Sequence, residues 1–330
     1  MKVFITQNIE QESIDALEEN GVEVVTSGLD GPLTRQEFLN GIRDVDAIIF
    51  VWHTEQMDKE AFEVASNLKI IARRGVGYDN IDLEEAKKRN IYVTVTPVHT
   101  HTIADLTFGL LLNAARKIHL ADAFVRSGQW TEGGVWVARK FMGYDVHHKT
   151  IGIIGLGKIG KHMAKRAQGF DMDVIYYDVF RQPEAEDELG IKYATLDELY
   201  ANSDFITVNC ALTESTKNMI NREAIDKMKD SAVLVVSARG GIVDESALYD
   251  ALSNGRLGAA GMDVFEPEPI LSDNPLLKLE NVVFTPHLGA SVQETRVLMA
   301  VTAAEEVLRV LNKSKPKYPL FELDEEVRVN

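Results

Sequence analysis

Short, unbroken apolar runs alternate with stretches of helical spacing from the first residues onward. Residues 3–6, 22–26, 47–52, 69–72 and 91–95 read as strands, and 11–19, 34–41, 58–67 and 83–89 between them as helices. Strands that are apolar at nearly every position, separated by helices, indicate a parallel sheet covered on both faces. Residues 1 to about 97 are therefore expected to form one small α/β unit, closed by Pro97. A long helix follows at 103–118, where Phe108, Leu110, Leu111 and Leu112 leave little polar surface. The stretch 119–148 carries Trp130, Trp136, Phe141 and the pair Gly133-Gly134 with no clear period, and reads as an excursion that packs on a second subunit.

A second alternating series begins at Thr150. Its strands are expected at 151–154, 174–177, 205–208, 232–236, 258–262 and 282–284, six in all, as a doubly wound sheet requires. The last helix, 292–311, has no further strand to feed and most simply crosses back to the first unit. The expected organisation is α/β, with two doubly wound parallel-sheet domains. One comprises 1–98 plus 291–330, and the other is a dinucleotide-binding domain at 99–290 that carries the 119–148 excursion.

Composition narrows the functional classes. The 330 residues carry 35 Lys+Arg against 51 Asp+Glu, a formal net charge of −16, and 45% are hydrophobic. The longest apolar run, 47–52, is far short of the roughly 20 residues that span a bilayer. The opening residues read directly as a strand rather than as a leader. No membrane partner is expected. Nor is a nucleic-acid partner, whose phosphates need clustered Lys and Arg. The single cysteine, Cys210, excludes an intramolecular disulfide and a Cys-built metal centre. It fits a reducing, cytoplasmic setting, and no metal is expected.

The clearest chemistry follows the strand at 151–154. Gly155-Leu156-Gly157-Lys158-Ile159-Gly160 is a GxGxxG turn opening a helix. Gly155 permits the tight turn, Gly157 lets backbone approach a pyrophosphate, and Gly160 allows helix and strand to touch. Lys158 and Ile159 begin the helix, whose unpaired N–H groups and partial positive charge face the phosphates. Asp178 ends the next strand, 18 residues past Gly160, where a carboxylate accepts from ribose hydroxyls and repels a 2′-phosphate. The expected cofactor is NAD, with NADP disfavoured by Asp178. Arg181, three residues on, is the one group expected to soften that preference.

Three further loops follow strands of the same sheet and so lie at its carboxyl edge, where open α/β sheets place ligands. They are Ser237-Ala238-Arg239-Gly240-Gly241, the segment from Asp263 to Glu268, and Pro286-His287-Leu288-Gly289. Arg239 can clamp a carboxylate with its planar fork. His287 can give a proton to a carbonyl oxygen as hydride arrives, and Glu268 can orient the ring.

These segments resemble the D-isomer-specific 2-hydroxyacid dehydrogenases. The resemblance rests on Gly155 to Gly160, Asp178, Ala238-Arg239-Gly240-Gly241 with Val243-Asp244, Met262 to Pro269 and Pro286 to Ala290, with 29 residues from Arg239 to Glu268 and 19 from Glu268 to His287. It implies a flavodoxin-like substrate domain and a Rossmann-type NAD domain flanking a cleft, a homodimer, and Arg239, Glu268 and His287 as the catalytic set. It also implies Asp263, Ser237 and Ala238 on the nicotinamide side, and Cys210 and Thr216 in a loop around the dinucleotide. The turn at Val76 and Gly77 would hold the substrate carboxylate, and Trp52 and His53 would set substrate size. Arg73 and Arg74 would supply local positive charge against the acidic whole. His99 and His101 would mark the hinge. Asn209-Cys210-Ala211, Ser237 and the 97–102 segment depart from the usual family pattern. Gly143-Tyr144-Asp145, with Pro183 to Glu186, looks most like glyoxylate and hydroxypyruvate reductases. The implied reaction interconverts a small 2-oxo acid and its D-2-hydroxy acid. The alternatives are a D-3-phosphoglycerate or D-lactate dehydrogenase, or a non-catalytic protein that senses NADH.

Overall fold

A computed structural model describes residues 1–52, 54–133 and 138–323. His53, Gly134 and Trp136, singled out above, lie outside the described residues. The chain divides into two compact units, Met1–His99 with Ala290–Asn330, and Thr100–Gly289.

In the first unit, β1 (Lys2–Ile5), β2 (Glu23–Thr26), β3 (Ala47–Phe50), β4 (Ile70–Arg73) and β5 (Tyr92–Thr94) form one sheet in the order β2-β1-β3-β4-β5. All neighbours are parallel. The order reverses between β1 and β3, so the loops that follow these two strands meet at the topological switch point. β3 and β4 are buried at every position, which explains their continuous apolar sequence. One face is closed by Phe38, Phe50, Phe62 and their neighbours. The other is closed by Leu17 of the helix Gln11–Glu19 together with Ala303, Ala304, Val307 and Leu311 of the helix Gln293–Leu311.

The second unit holds seven strands. They are β6 (Thr150–Ile154), β7 (Asp173–Tyr177), β8 (Lys192–Tyr193), β9 (Phe205–Val208), β10 (Val233–Val236), β11 (Ala259–Met262) and β12 (Val282–Phe284). Their order is β12-β11-β10-β9-β6-β7-β8, all parallel, with the reversal between β6 and β9. The fold class expected from the sequence is thus present in both units. β8 was not anticipated, because two residues with one outward-facing lysine carry no periodicity. The helix Thr100–Arg116 begins three residues earlier than the apolar pattern suggests, and packs Phe108, Leu111 and Ala115 against the sheet. Among the described residues, no helix is long and apolar enough to cross a membrane.

Candidate active site

The glycine turn between β6 and the helix Lys158–Gln168 is shaped by contacts that exclude side chains. Gly155 has φ +92°, and a Cβ there would lie 2.8 Å from the Cys210 nitrogen. At Gly160 a Cβ would lie 2.1 Å from the Gly155 carbonyl oxygen, so helix and turn meet backbone to backbone. Gly157 is different. It caps the helix in an extended conformation, and a Cβ there would meet nothing within 4 Å. Its surroundings are kept open on the side where the helix presents its unpaired N–H groups, the cradle a pyrophosphate needs.

A cavity of about 510 Å³ adjoins this turn, and Gly155, Gly157, Asp178, Cys210, Thr213 and Thr216 are among its lining residues. Asp178 directly follows β7 at the rim and accepts from Leu156 N at 2.7 Å and Phe180 N at 3.2 Å, which fixes its carboxylate beside the turn. Arg181 does not turn toward it. The guanidinium forms a two-point pair with Glu186 at 2.9 Å, and Glu186 also accepts from Tyr176 Oη. The softening role anticipated for Arg181 therefore meets a committed side chain. Thr216 Oγ1 accepts from Thr213 N and donates to the Ala211 carbonyl, both at 2.7 Å, and so staples the loop that carries Cys210. Burial pushes the Cys210 thiol up to about 11, with the Asp178 charge adding to the effect. That thiol stays protonated at neutral pH and forms wall, not nucleophile. An open glycine cradle, a fixed carboxylate and an adjoining cavity together suit a dinucleotide.

The second cluster lies past the carboxyl ends of β10, β11 and β12. Ser237 is buried and shares a 2.6 Å hydrogen bond with Thr107 of the helix Thr100–Arg116. Nothing at sequence level singled out Thr107, which lies in the middle of an apolar helix. Arg239 is half-buried, and its Nη1 donates to the Ala238 carbonyl at 2.7 Å. Gly240 must be glycine, since a Cβ would lie 1.9 Å from the Phe265 carbonyl oxygen. That contact seats the Arg239 loop on the segment that leads to Glu268.

Glu268 accepts from Phe265 N at 2.9 Å through Oε1, and its Oε2 lies 2.7 Å from His287 Nδ1. The His287 backbone has φ +53°, a conformation that costs a non-glycine residue energy unless its surroundings impose it. Asp263 imposes it. Its carbonyl accepts from His287 N at 2.9 Å, and its carboxylate accepts from Thr285 Oγ1 (2.6 Å), Leu288 N (2.7 Å) and Gly289 N (2.9 Å). Asp263 is fully buried, and burial raises its pKa, against the Thr285 hydroxyl and the two N–H groups that favour its charged form. Sequence reasoning saw an acid near the cofactor. The structure shows that its carboxylate organises the turn holding His287.

In the first unit, Val76 and Gly77 form the half-buried turn after β4, and Trp52 follows β3 with 37% of its surface exposed. Arg73 and Arg74, expected to offer positive charge, are instead 4% and 7% exposed. Arg74 pairs with Glu10 at 3.1 Å, and Glu10 is held from its other side by Arg296 at 2.7 Å. His99 is buried, with Nδ1 against the Thr96 carbonyl at 3.0 Å. His101 stacks on His162 with ring centroids 3.6 Å apart.

Comparison with known proteins agrees with this geometry. The NAD binding domain model of the D-isomer specific 2-hydroxyacid dehydrogenases matches residues 108–289. A glyoxylate reductase of Pyrococcus horikoshii is 46% identical over 309 residues, covering 93% of this chain and 92% of that protein. The chain belongs to the D-isomer specific 2-hydroxyacid dehydrogenase family. Two solved structures agree along nearly the whole length. One, of a protein from Thermus thermophilus, has a TM-score of 0.91 at 37% identity, covering 97% of this chain and 100% of that one. The other, a glyoxylate reductase from Paecilomyes thermophila, has a TM-score of 0.85 at 31% identity, covering 97% and 98%. This 2-hydroxyacid dehydrogenase is an oxidoreductase that acts on a CH–OH group, uses a nicotinamide cofactor and takes a small 2-oxo or 2-hydroxy acid.

Proposed function

We propose that the chain is an NAD-preferring reductase of small, unbranched 2-oxo acids, with glyoxylate and hydroxypyruvate as its substrates. The observation that carries this reading is the 2.7 Å contact between His287 Nδ1 and Glu268 Oε2. A carboxylate on Nδ1 orients the ring and assigns proton transfer to Nε2, the other ring nitrogen. A bound reduced nicotinamide supplies hydride to C2 of the acid. His287 gives its proton to the carbonyl oxygen, so the C=O π bond becomes one C–H and one O–H. Arg239 clamps the substrate carboxylate and polarises the carbonyl. In the first unit, the proposed substrate contacts are the N–H groups of Val76 and Gly77 and the side chain of Trp52. A binding protein that only sensed NADH would have no use for an oriented proton donor, so the pair favours catalysis over sensing.

Gly155, Gly157, Lys158, Ile159 and Gly160 hold the pyrophosphate in this reading. Asp178 takes the adenosine ribose, and Cys210 and Thr216 wall the adenine side. Ser237 and Ala238 flank the nicotinamide, and Asp263 acts there by holding the His287 turn. The preference for NAD rests on Asp178 at the cavity rim and on the engagement of Arg181 with Glu186. A homodimer is supported by the apolar side chains of Ile118, Val125, Trp130 and Met142, which are 46–68% exposed along one stretch of chain. The test is steady-state oxidation of NADH and of NADPH against glyoxylate, hydroxypyruvate, pyruvate and 3-phosphohydroxypyruvate. Turnover is expected to be fastest with NADH and the first two acids. Tight NADH binding without turnover of any acid would overturn the enzymatic reading. A preference for the phosphorylated acid or for pyruvate would move the substrate to the phosphoglycerate or lactate class.

A further inference from the structure

The substrate-side loops of the first unit are held by a buried cation with a clear structural task. Arg73 ends β4, and its Nε donates to the Gly77 carbonyl at 2.7 Å. Its Nη1 donates to the Trp52 carbonyl at 2.5 Å and, more distantly, to the Phe50 carbonyl at 3.4 Å. One planar group therefore ties the turn after β4 to the loop after β3. The N–H of Trp52 is held as well, donating to Gln7 Oε1 at 3.3 Å. Gln7 is itself fixed, since its Oε1 accepts from Thr6 Oγ1 at 2.5 Å and its Nε2 donates to buried Glu55 at 2.6 Å. A second set of bonds runs in parallel. Asn80 Nδ2 donates to the Glu55 carbonyl at 2.6 Å, and Met57 N to the Asn80 carbonyl at 2.8 Å.

We infer that Arg73, backed by Gln7, is a positioning residue that sets the spacing between Trp52 and the Val76–Gly77 turn, and through it the size of acid accepted. This rests on the proposed substrate roles of those loops. The geometry calls for arginine in particular. A guanidinium presents N–H groups along two edges of a rigid plane and can reach two carbonyls on different loops at once. An ammonium is a compact point charge on a flexible stem and cannot hold both in register. Both hydrogen bonds are part-buried, so releasing one leaves an acceptor to be rehydrated and the loop to move with it.

The experiment compares Arg73→Lys and Gln7→Leu with the wild-type protein in three measurements. Hydrogen exchange of peptides covering 50–57 and 75–80 needs no substrate. Exchange in both is expected to rise in Arg73→Lys, with that of the second unit unchanged. In steady-state kinetics KM for glyoxylate is expected to rise on the order of tenfold, and the preference for the smallest acid over longer 2-oxo acids to fall by a similar factor. The kcat and the NADH dissociation constant are expected to stay within about twofold, because neither the proton donor nor the cofactor cradle is touched. Gln7→Leu is expected to move KM and selectivity the same way. A variant that loses thermal stability but keeps wild-type KM and selectivity would show a merely structural role and overturn the inference. Unchanged exchange in Arg73→Lys would overturn the tie itself. Absence of turnover in the wild-type protein would instead overturn the functional reading, and with it the substrate role of the tie.

Discussion

The same substitution at two glycines of one turn should give opposite results. At Gly160 an added Cβ would lie 2.1 Å from the Gly155 carbonyl oxygen and 3.1 Å from its carbonyl carbon. No rotamer relieves a backbone–backbone clash. The helix Lys158–Gln168 must therefore withdraw from β6 by about 1 Å, against the close packing of an interior in which Met163, Ala164 and Ala167 are fully buried. Overpacking costs roughly 1–3 kcal/mol, and a rigid neighbour places Gly160→Ala at the upper end. In a unit of this size each kcal/mol moves Tm by roughly 2–4 °C, so the expected fall is about 6–12 °C. Gly157→Ala meets nothing within 4 Å and keeps an extended φ of −70°, so its Tm should stay within about 2 °C of wild type. Its methyl, however, fills the space left for the pyrophosphate. NADH affinity should drop at least about tenfold, equivalent to about 1.4 kcal/mol. Calorimetry without cofactor and fluorescence titration with NADH separate the two effects. A Gly160→Ala protein as stable as wild type would refute the steric argument. A Gly157→Ala protein that binds NADH normally would refute the reading of the cradle.

Three other outcomes follow from the same geometry. His287→Ala should lower kcat for 2-oxo acid reduction by roughly 10²–10⁴-fold with NADH affinity retained, and an unchanged kcat would remove His287 from the chemistry. Asp178→Asn keeps an acceptor for Leu156 N but removes the charge; the kcat/KM ratio of NADH to NADPH should fall by about tenfold or more, and a wild-type enzyme already favouring NADPH would contradict the assignment. The pKa of His162 is lowered, first by partial burial and then by His101, Arg166 and Lys165, with Asp105 opposing. The folded state therefore binds this proton less readily than the unfolded chain. Its contribution to stability is complete above the ordinary histidine pKa of about 6.5 and is lost as the pH falls below it. His162→Gln should flatten the decline of Tm between about pH 7 and pH 5, and an identical slope in both proteins would refute this.

Much of the fold was legible because buried parallel strands write themselves as continuous apolar runs, as β3 and β10 do with every position buried. Part of the candidate site was legible for a related reason. Loops at the carboxyl ends of neighbouring strands converge, so Glu268 and His287 could be paired before their 2.7 Å contact was known. What escaped was orientation. Arg73 and Arg74 read as two positive charges near a substrate loop, but a charge count does not say where a guanidinium points. The partners that bury them, the Trp52 and Gly77 carbonyls and Glu10, are fixed only when separate strands assemble. The structural task of Asp263 escaped for the same reason, since its partners Thr285, Leu288 and Gly289 lie more than 20 residues away. Arg181 stood beside Asp178 in sequence, yet its stronger partner was Glu186 in the next helix.

The discontinuity of the first unit bears on how the chain folds as it leaves the ribosome. The face of its sheet that holds Val3, Ile5, Ile49 and Ile70 is completed by Ala303, Ala304, Val307 and Leu311, which are made only after the whole second unit. The unit at Thr100–Gly289 is one unbroken segment and has all its strands in hand before that helix appears. At roughly 5–20 residues per second, synthesis leaves the N-terminal strands waiting for about 10–40 s with an apolar face uncovered. The usual order of N-terminal domain first is thus reversed. The interval is the one in which this chain most needs a chaperone, and a nascent protein stalled before residue 293 should be far more aggregation-prone than the finished one.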